Sequence, residues 1–332
     1  MHYSSAFVES FGDNLIFLIS QPRAGSTMLQ RILGAHPDIH TVSEPWIALH
    51  PLFALRHNGF AADFDPRLAN MAVTGFLREL PEGSEAYCEG LRRMLGYLYG
   101  CALQNSGKSI FLDKTPRYYF IIPELRRVFP RGKIVFLLRN PVAVLSSILE
   151  SWCTTRAALE VGHARHDLMD APSLILEGIH AAGPDAIVAR YEEIVGEPET
   201  ALRQLCDRLK IAFHPAMIEY GAAGANQPRW SFGDQNIVYR ERSPIPGRAD
   251  RWRKVLKVTP SWAAWARGYL DALGAGTIRG LGYDFDQLCS ELPRVRESHD
   301  WSRLMHMAEP RSQGIAVDAA ENVHSATVAA LS

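Results

Sequence analysis

Residues 15–34, LIFLISQPRAGSTMLQRILG, constrain this chain more than any other stretch. Leu15 to Ile19 form a near-continuous apolar run, as a strand buried on both faces requires. Gln21-Pro22-Arg23-Ala24-Gly25 interrupts it as a tight turn. Ser26 and Thr27 then open a segment whose apolar residues, Met28, Leu29, Ile32 and Leu33, recur at helical spacing. A strand, a loop and a helix in that order aim the free N–H groups of the helix's first turn above the strand's end. The helix dipole makes that place favourable for an anion. Gly25 permits close backbone approach, and the Ser26 and Thr27 hydroxyls add donors. Arg23 adds a charge suited to a phosphate or sulfate oxygen. An ordinary strand–turn–helix with a capping Ser has the same local pattern, so the loop needs a second feature to give it meaning.

The rest of the chain supplies the scaffold for such a loop. Strands are expected over residues 39–43, 109–112, 133–138 and 186–189. Helices are expected over 50–56, 66–80, 85–104, 118–129, 141–152, 174–182, 198–209 and 252–268. Residues 154–172 read either way, and 221–247 read as a long loop. Strands alternating with helices predict an α/β fold of three layers, a central parallel sheet flanked by helices. In such sheets ligands bind beyond the carboxyl ends of the strands. Arg23, Glu44, Lys114, Arg139 and Tyr191 all fall at or just after the ends of expected strands, on that one rim. Residues 1–289 read as one domain and 290–332 as a polar, weakly ordered tail.

Composition limits the function classes. The 332 residues carry a formal net charge of −1, which does not suggest a nucleic-acid binder. No apolar run reaches ~18 residues, so no membrane span is expected. The first 14 residues lack the basic and apolar regions of a signal peptide. Five scattered cysteines without a CxxC pair fit reduced thiols in a cytoplasmic chain. The sequence sets no oligomeric state, and a homo-oligomer is compatible with it.

The second feature is Arg139-Asn140-Pro141 after the strand at Lys133–Leu138, with Ser147 eight residues beyond Arg139. PRAGST after a first strand and RNPxxxxxS after a later one resemble the sulfotransferases that use 3′-phosphoadenosine-5′-phosphosulfate (PAPS), a P-loop-like family. Asp113-Lys114-Thr115-Pro116, Arg190-Tyr191-Glu192-Glu193, Gly247-Arg248 and Leu281-Gly282-Tyr283 follow in the family's order. The resemblance implies that Arg23, Ala24, Gly25, Ser26, Thr27 and Met28 hold the 5′-phosphosulfate. It implies that Arg139 and Ser147 hold the 3′-phosphate, with Ser146 one register away. Arg248 resembles the late basic loop that closes over that phosphate, and Tyr191 the aromatic that contacts adenine. Lys114 resembles the lysine near the bridging oxygen. The His of the cytosolic members is missing after Lys114-Thr115. Glu44 instead matches the Glu base of the tyrosylprotein and several bacterial members. Together they imply a sulfotransferase that releases adenosine 3′,5′-bisphosphate (PAP), with Glu44, Lys114 and Arg23 catalytic and no metal required. The acceptor is expected to be a hydroxyl or amine, a small molecule or carbohydrate being favoured while lipids and peptide tyrosines stay open. Trp46, Phe53, Trp152, Trp230, Phe232 and Tyr239 are candidates to line its pocket.

Three other readings compete. A P-loop kinase or GTPase shares the fold class, but GxxxxGK[ST] needs a Lys where Ser26 follows Gly25. A nucleotide-binding protein without catalysis would keep the loop and Arg139 and need no base. A zinc site could draw on His36, His40 and Glu44, which line up only on a helix; Pro37, Ile39, Thr41 and Val42 argue against one there.

Overall fold

The structure is a computed structural model that describes residues 12–56, 64–152, 164–221, 241–295 and 301. Its centre is β1 (Leu15–Ser20), followed by α1 (Ser26–Gly34) and β2 (Ile39–Ser43). A helical hairpin comes next, α2 (Pro66–Arg78) and α3 (Ser84–Ser106), leading to β3 (Ile110–Lys114). Then follow α4 (Ile122–Val128), β4 (Lys133–Leu138), α5 (Pro141–Trp152), α6 (Ala171–Ala182), β5 (Ile187–Arg190), α7 (Tyr191–Gly196) and α8 (Pro198–Leu209). The chain continues through α9 (Arg251–Val258) and α10 (Pro260–Gly280).

The five strands are all parallel, in the order β2-β3-β1-β4-β5. β1 lies in the middle, with Leu18 beside Lys114 on one side and Ile19 beside Phe136 on the other. Its side chains alternate between two cores. Leu15, Phe17 and Ile19 pack with α3, α4 and α6, while Ile16 and Leu18 pack with α1, α7 and α8. This explains the unbroken apolar run: both faces of the strand are covered. A third cluster joins α5, α9 and α10 with Trp301, whose indole N–H donates to the Trp265 carbonyl at 2.9 Å. No helix among the described residues is long and apolar enough to cross a membrane.

The structure departs from the sequence expectations where proline or polar burial intervenes. The helix expected over 118–129 is a 3₁₀ turn, Pro116–Ile121, followed by α4. Pro123 has no N–H to give to the carbonyl four residues back, so one continuous helix cannot form. The helix expected over 252–268 is split by Pro260, which drives Thr259 out of helical geometry (φ −130°). β3 runs two residues further than expected and takes in Asp113 and Lys114. Both are hidden because both are paired. Asp113, 1% exposed, accepts from the Tyr99 hydroxyl at 2.6 Å, Thr115 at 2.7 Å and the Tyr118 hydroxyl at 3.1 Å.

Burial pushes the Asp113 carboxyl up to about 6, against those three hydrogen bonds and Lys114, which pull it down. An acid whose folded pKa lies above its unfolded value of 3.8 takes up protons on folding. Its contribution to stability is therefore full below about pH 4 and is lost as pH rises through 6. Compared with Asp113→Asn, the native chain should lose on the order of 3 kcal/mol between about pH 4 and pH 7. Urea midpoints of both proteins across that range check this; parallel profiles would mean that Asp113 titrates as an exposed acid.

Candidate active site

The turn after β1 bends back through two left-handed residues, Arg23 (φ 70°) and Gly25 (φ 98°). Gly25 is the N-cap of α1, and no side chain caps that helix. The first-turn N–H groups therefore remain available at the carboxyl edge of the sheet. Only glycine fits here. A Cβ on Gly25 would come within 2.4 Å of the Tyr191 ring, and the positive φ adds backbone strain.

Tyr191 begins α7 at the end of β5 and is 4% exposed. Its ring also carries the Arg139 guanidinium, 4.1 Å from its centroid. Arg139 Nη1 donates to the Arg23 carbonyl at 2.9 Å, which ties the loop after β4 to the loop after β1. Arg139 Nε is buried and has no hydrogen-bond partner, and neither has Ser146 Oγ. Burial lowers the Arg139 pKa, opposed by Tyr191 and Glu192 and assisted by Arg23. An unmatched guanidinium nitrogen beside uncapped helix amides calls for an anion.

The first turn of α5 differs from that of α1. Asn140 Oδ1 accepts from the N–H groups of Val142 (2.9 Å) and Ala143 (3.3 Å). The Arg23 side chain runs along this helix, its Nε 3.1 Å from Ser147 Oγ and its Nη2 2.8 Å from Ser151 Oγ.

On the far side of β1, β2 delivers Glu44 in a left-handed conformation (φ 46°). Lys114 Nζ donates to Glu44 Oε1 at 2.9 Å and to Ser43 Oγ at 3.2 Å, and Trp46 Nε1 lies 3.3 Å from Glu44 Oε2. Lys114 is 0% exposed and its partner carboxylate 15%.

A cavity of about 430 Å³ gathers these parts. Of the residues expected from sequence, Arg23, Gly25, Ser26, Thr27, Met28, Glu44, Arg139, Ser147, Tyr191 and Arg248 line it. Ala24 instead faces the third core at 1% exposure, and Lys114 lies one side chain behind the wall. Trp152 is at the cavity wall, whereas Phe53 is 8% exposed in the core. Trp230, Phe232 and Tyr239 lie outside the described residues. Arg248 is ion-paired with Glu241, and Arg251 Nη2 reaches Glu150 at 2.7 Å.

Sequence reasoning missed Arg117, which lines the cavity and is held by Asp167 through bonds of 2.9 and 2.6 Å. Its only signal was its place directly after the Asp113–Pro116 run. Asp167 fell in the ambiguous stretch and gave none. The closing Leu281-Gly282-Tyr283 proves to be a buttress. Tyr283 donates to Glu192 at 2.9 Å, and Glu192 accepts the Asn140 N–H at 2.9 Å. His36, considered as a zinc ligand, has both ring nitrogens against backbone groups, Ala212 O at 2.9 Å and Asp38 N at 3.1 Å. Among the described residues no group of three His, Cys, Asp or Glu is placed to hold a metal.

Fold and cavity define an α/β protein with a cavity at the rim of a parallel sheet, lined by basic side chains and uncapped helix amides. Residues 15–215 match the sulfotransferase family, and the chain belongs to it. Nodulation protein NoeE of Sinorhizobium fredii is 27% identical over 296 residues, 81% of this chain and 66% of its own length. Protein-tyrosine sulfotransferase 1 of Danio rerio is 22% identical over 222 residues, 65% and 59% of the two chains. This chain thus spans about two thirds or less of the length of these relatives. Among solved structures, the sulfotransferase domain from the curacin biosynthetic pathway shares the fold, with a TM-score of 0.53 and 22% identity. That alignment covers 81% of this chain and 97% of the other.

Gly25→Ala should cost about 1–3 kcal/mol through strain and the Tyr191 clash. Gly90→Ala, whose Cβ meets nothing within 4 Å, should be neutral or stabilising. Chemical denaturation of both variants checks the contrast; equal effects would mean that the loop relaxes freely.

Proposed function

We propose that the chain transfers a sulfuryl group from PAPS to a hydroxyl or amine of a small molecule or carbohydrate and releases PAP. The observation that carries this reading is the buried Arg139 guanidinium, whose Nε lacks a partner, tied to the backbone of the uncapped helix loop. Two anion-binding features joined by the bond from Arg139 to the Arg23 carbonyl suit a donor with phosphates at both ends of its ribose. A kinase reading has the same first loop but gives no task to Arg139 and Ser147.

The chemistry follows from charge. The acceptor oxygen attacks sulfur as the bond from sulfur to the 5′-phosphate oxygen breaks, and that electron pair leaves with PAP. Arg23 and the N–H groups of Gly25, Ser26 and Thr27 neutralise the charge that builds on the leaving oxygen. Arg139, Ser147 and Arg248 hold the 3′-phosphate, and Tyr191 supports Arg139 beside the nucleoside. Glu44 takes the acceptor's proton. Lys114 contacts Glu44 in this structure, so its task is to fix that carboxylate. No step draws on a metal. The described cysteines, Cys88, Cys101, Cys206 and Cys289, are free thiols, which suits a cytoplasmic enzyme.

Calorimetry should show PAP binding and no comparable binding of ATP. Arg139→Ala should weaken PAP on the order of 10²-fold, the cost of removing one partner of a desolvated charge pair. Glu44→Gln should leave PAP binding near native and lower turnover of labelled PAPS by ~10²–10⁴ on an acceptor panel. Unchanged PAP affinity in Arg139→Ala sinks the donor assignment, and unchanged turnover in Glu44→Gln sinks the base.

A further inference from the structure

Helix α2 turns its apolar side the wrong way for a monomer. Leu68, Met71, Ala72, Gly75 and Phe76 follow the spacing of one helical stripe. That stripe faces outward: Leu68 is 62% exposed, Met71 61% and Phe76 65%. The two buried residues of α2 are Leu77 and the polar Asn70, whose amide donates to the Ala54 carbonyl at 3.0 Å. Helix α3, which packs against α2, behaves similarly. Its Leu91, Leu95 and Tyr99 enter the core, while Met94 and Leu98 are 43% and 44% exposed. No Asp, Glu, Lys or Arg occurs between residues 68 and 77, or between 94 and 107.

Seven of the eleven exposed large hydrophobic residues among the described ones lie between Phe64 and Leu98, so the patch is a local feature rather than scatter. Together they present roughly 700 Å², beyond the patch of a typical monomer and close to one partner's share of a stable interface. None of these residues lines the cavity, which argues against an acceptor site. Charge selects the occupant. Asp65, Glu79, Glu82, Glu85 and Glu89 outnumber Arg67, Arg78 and Arg93 around the patch, which disfavours an anionic lipid surface. A two-fold axis near Ala72 and Gly75 would lay α2 antiparallel on its own copy. Asp65 and Arg67 of one copy would then approach Arg78 and Glu79 of the other, so both ends carry charges of mixed sign rather than a block of one sign. The small residues at the centre let the helices come close.

We propose that the α2–α3 hairpin is a homodimer interface, its partner a second copy of this chain. The pairing buries the apolar stripe in a four-helix arrangement and leaves both cavities open. The proposal does not depend on the identity of the donor or acceptor.

Sedimentation velocity of the full chain at micromolar concentration should give twice the chain mass. Leu68→Glu/Phe76→Glu should halve it while keeping the circular dichroism spectrum and a cooperative melt, since neither side chain is in the core. Ala72→Cys should cross-link two chains under mild oxidation, which tests the axis without adding charge. A native chain that sediments as a monomer overturns the proposal. So does a dimer that survives the double substitution, or a monomer that floats with neutral phosphatidylcholine vesicles.

Discussion

The bond from Arg139 to the Arg23 carbonyl holds the cavity together. It joins the loops after β1 and β4 on adjacent strands of one sheet. Its cost is a guanidinium taken out of water, which burial disfavours. The protein offsets that cost only in part, with one carbonyl, the face of Tyr191 and the nearby charge of Glu192. Glu192 itself is committed to the Asn140 N–H and the Tyr283 hydroxyl. The remaining capacity of Arg139, its partnerless Nε, belongs to a residue that lines the cavity. Tyr191 couples this to the first loop, because the same ring fills the space that a side chain at Gly25 would need.

The two helices that start at the rim show how similar local sequences can do different work. Both α1 and α5 begin just past a buried strand, and both therefore present a dipole end to the cavity. At α5, Pro141 has no N–H, and Asn140 satisfies the next two. That helix end is closed, so after β4 the group left to face the cavity is the Arg139 side chain. At α1, no side chain takes the cap position, and the backbone itself is the binding group. One loop offers amides and the other a guanidinium.

Much of this was legible in the sequence, for identifiable reasons. Parallel strands covered on both faces leave a strong mark, and β1 and β4 come directly from apolar runs. Residues at strand ends inherit their placement from the topology, so the position of Arg23, Glu44, Arg139 and Tyr191 on one rim follows from the sequence. What escaped depended on contacts distant in sequence. Arg117 takes its place from Asp167, fifty residues on, and Lys114 is hidden only because Glu44 reaches it. The end of β3 was cut short because Asp113 and Lys114 read as a polar turn. Only the ring of tyrosine hydroxyls around Asp113 makes a strand possible there. Pro123 and Pro260 were visible but were given too little weight against the surrounding helical periodicity.

Backbone strain points to the same rim. Among the described residues, the non-glycine residues with positive φ are Arg23, Glu44, Trp46 and Lys210; Arg23 and Glu44 line the cavity, and Trp46 hydrogen-bonds Glu44. A left-handed Glu or Trp costs about 1–3 kcal/mol and persists only where its surroundings fix it. Glu44 is fixed by the N–H bond to the Lys114 carbonyl at 3.0 Å and the ion pair of its carboxylate with the same lysine. Lys114 thus grips both the main chain and the side chain of one residue. The strand end turns sharply enough to put a carboxylate at the cavity wall, with its counter-charge behind it rather than in front. A carboxylate held in that way stays at the cavity wall with its charge balanced from inside the protein.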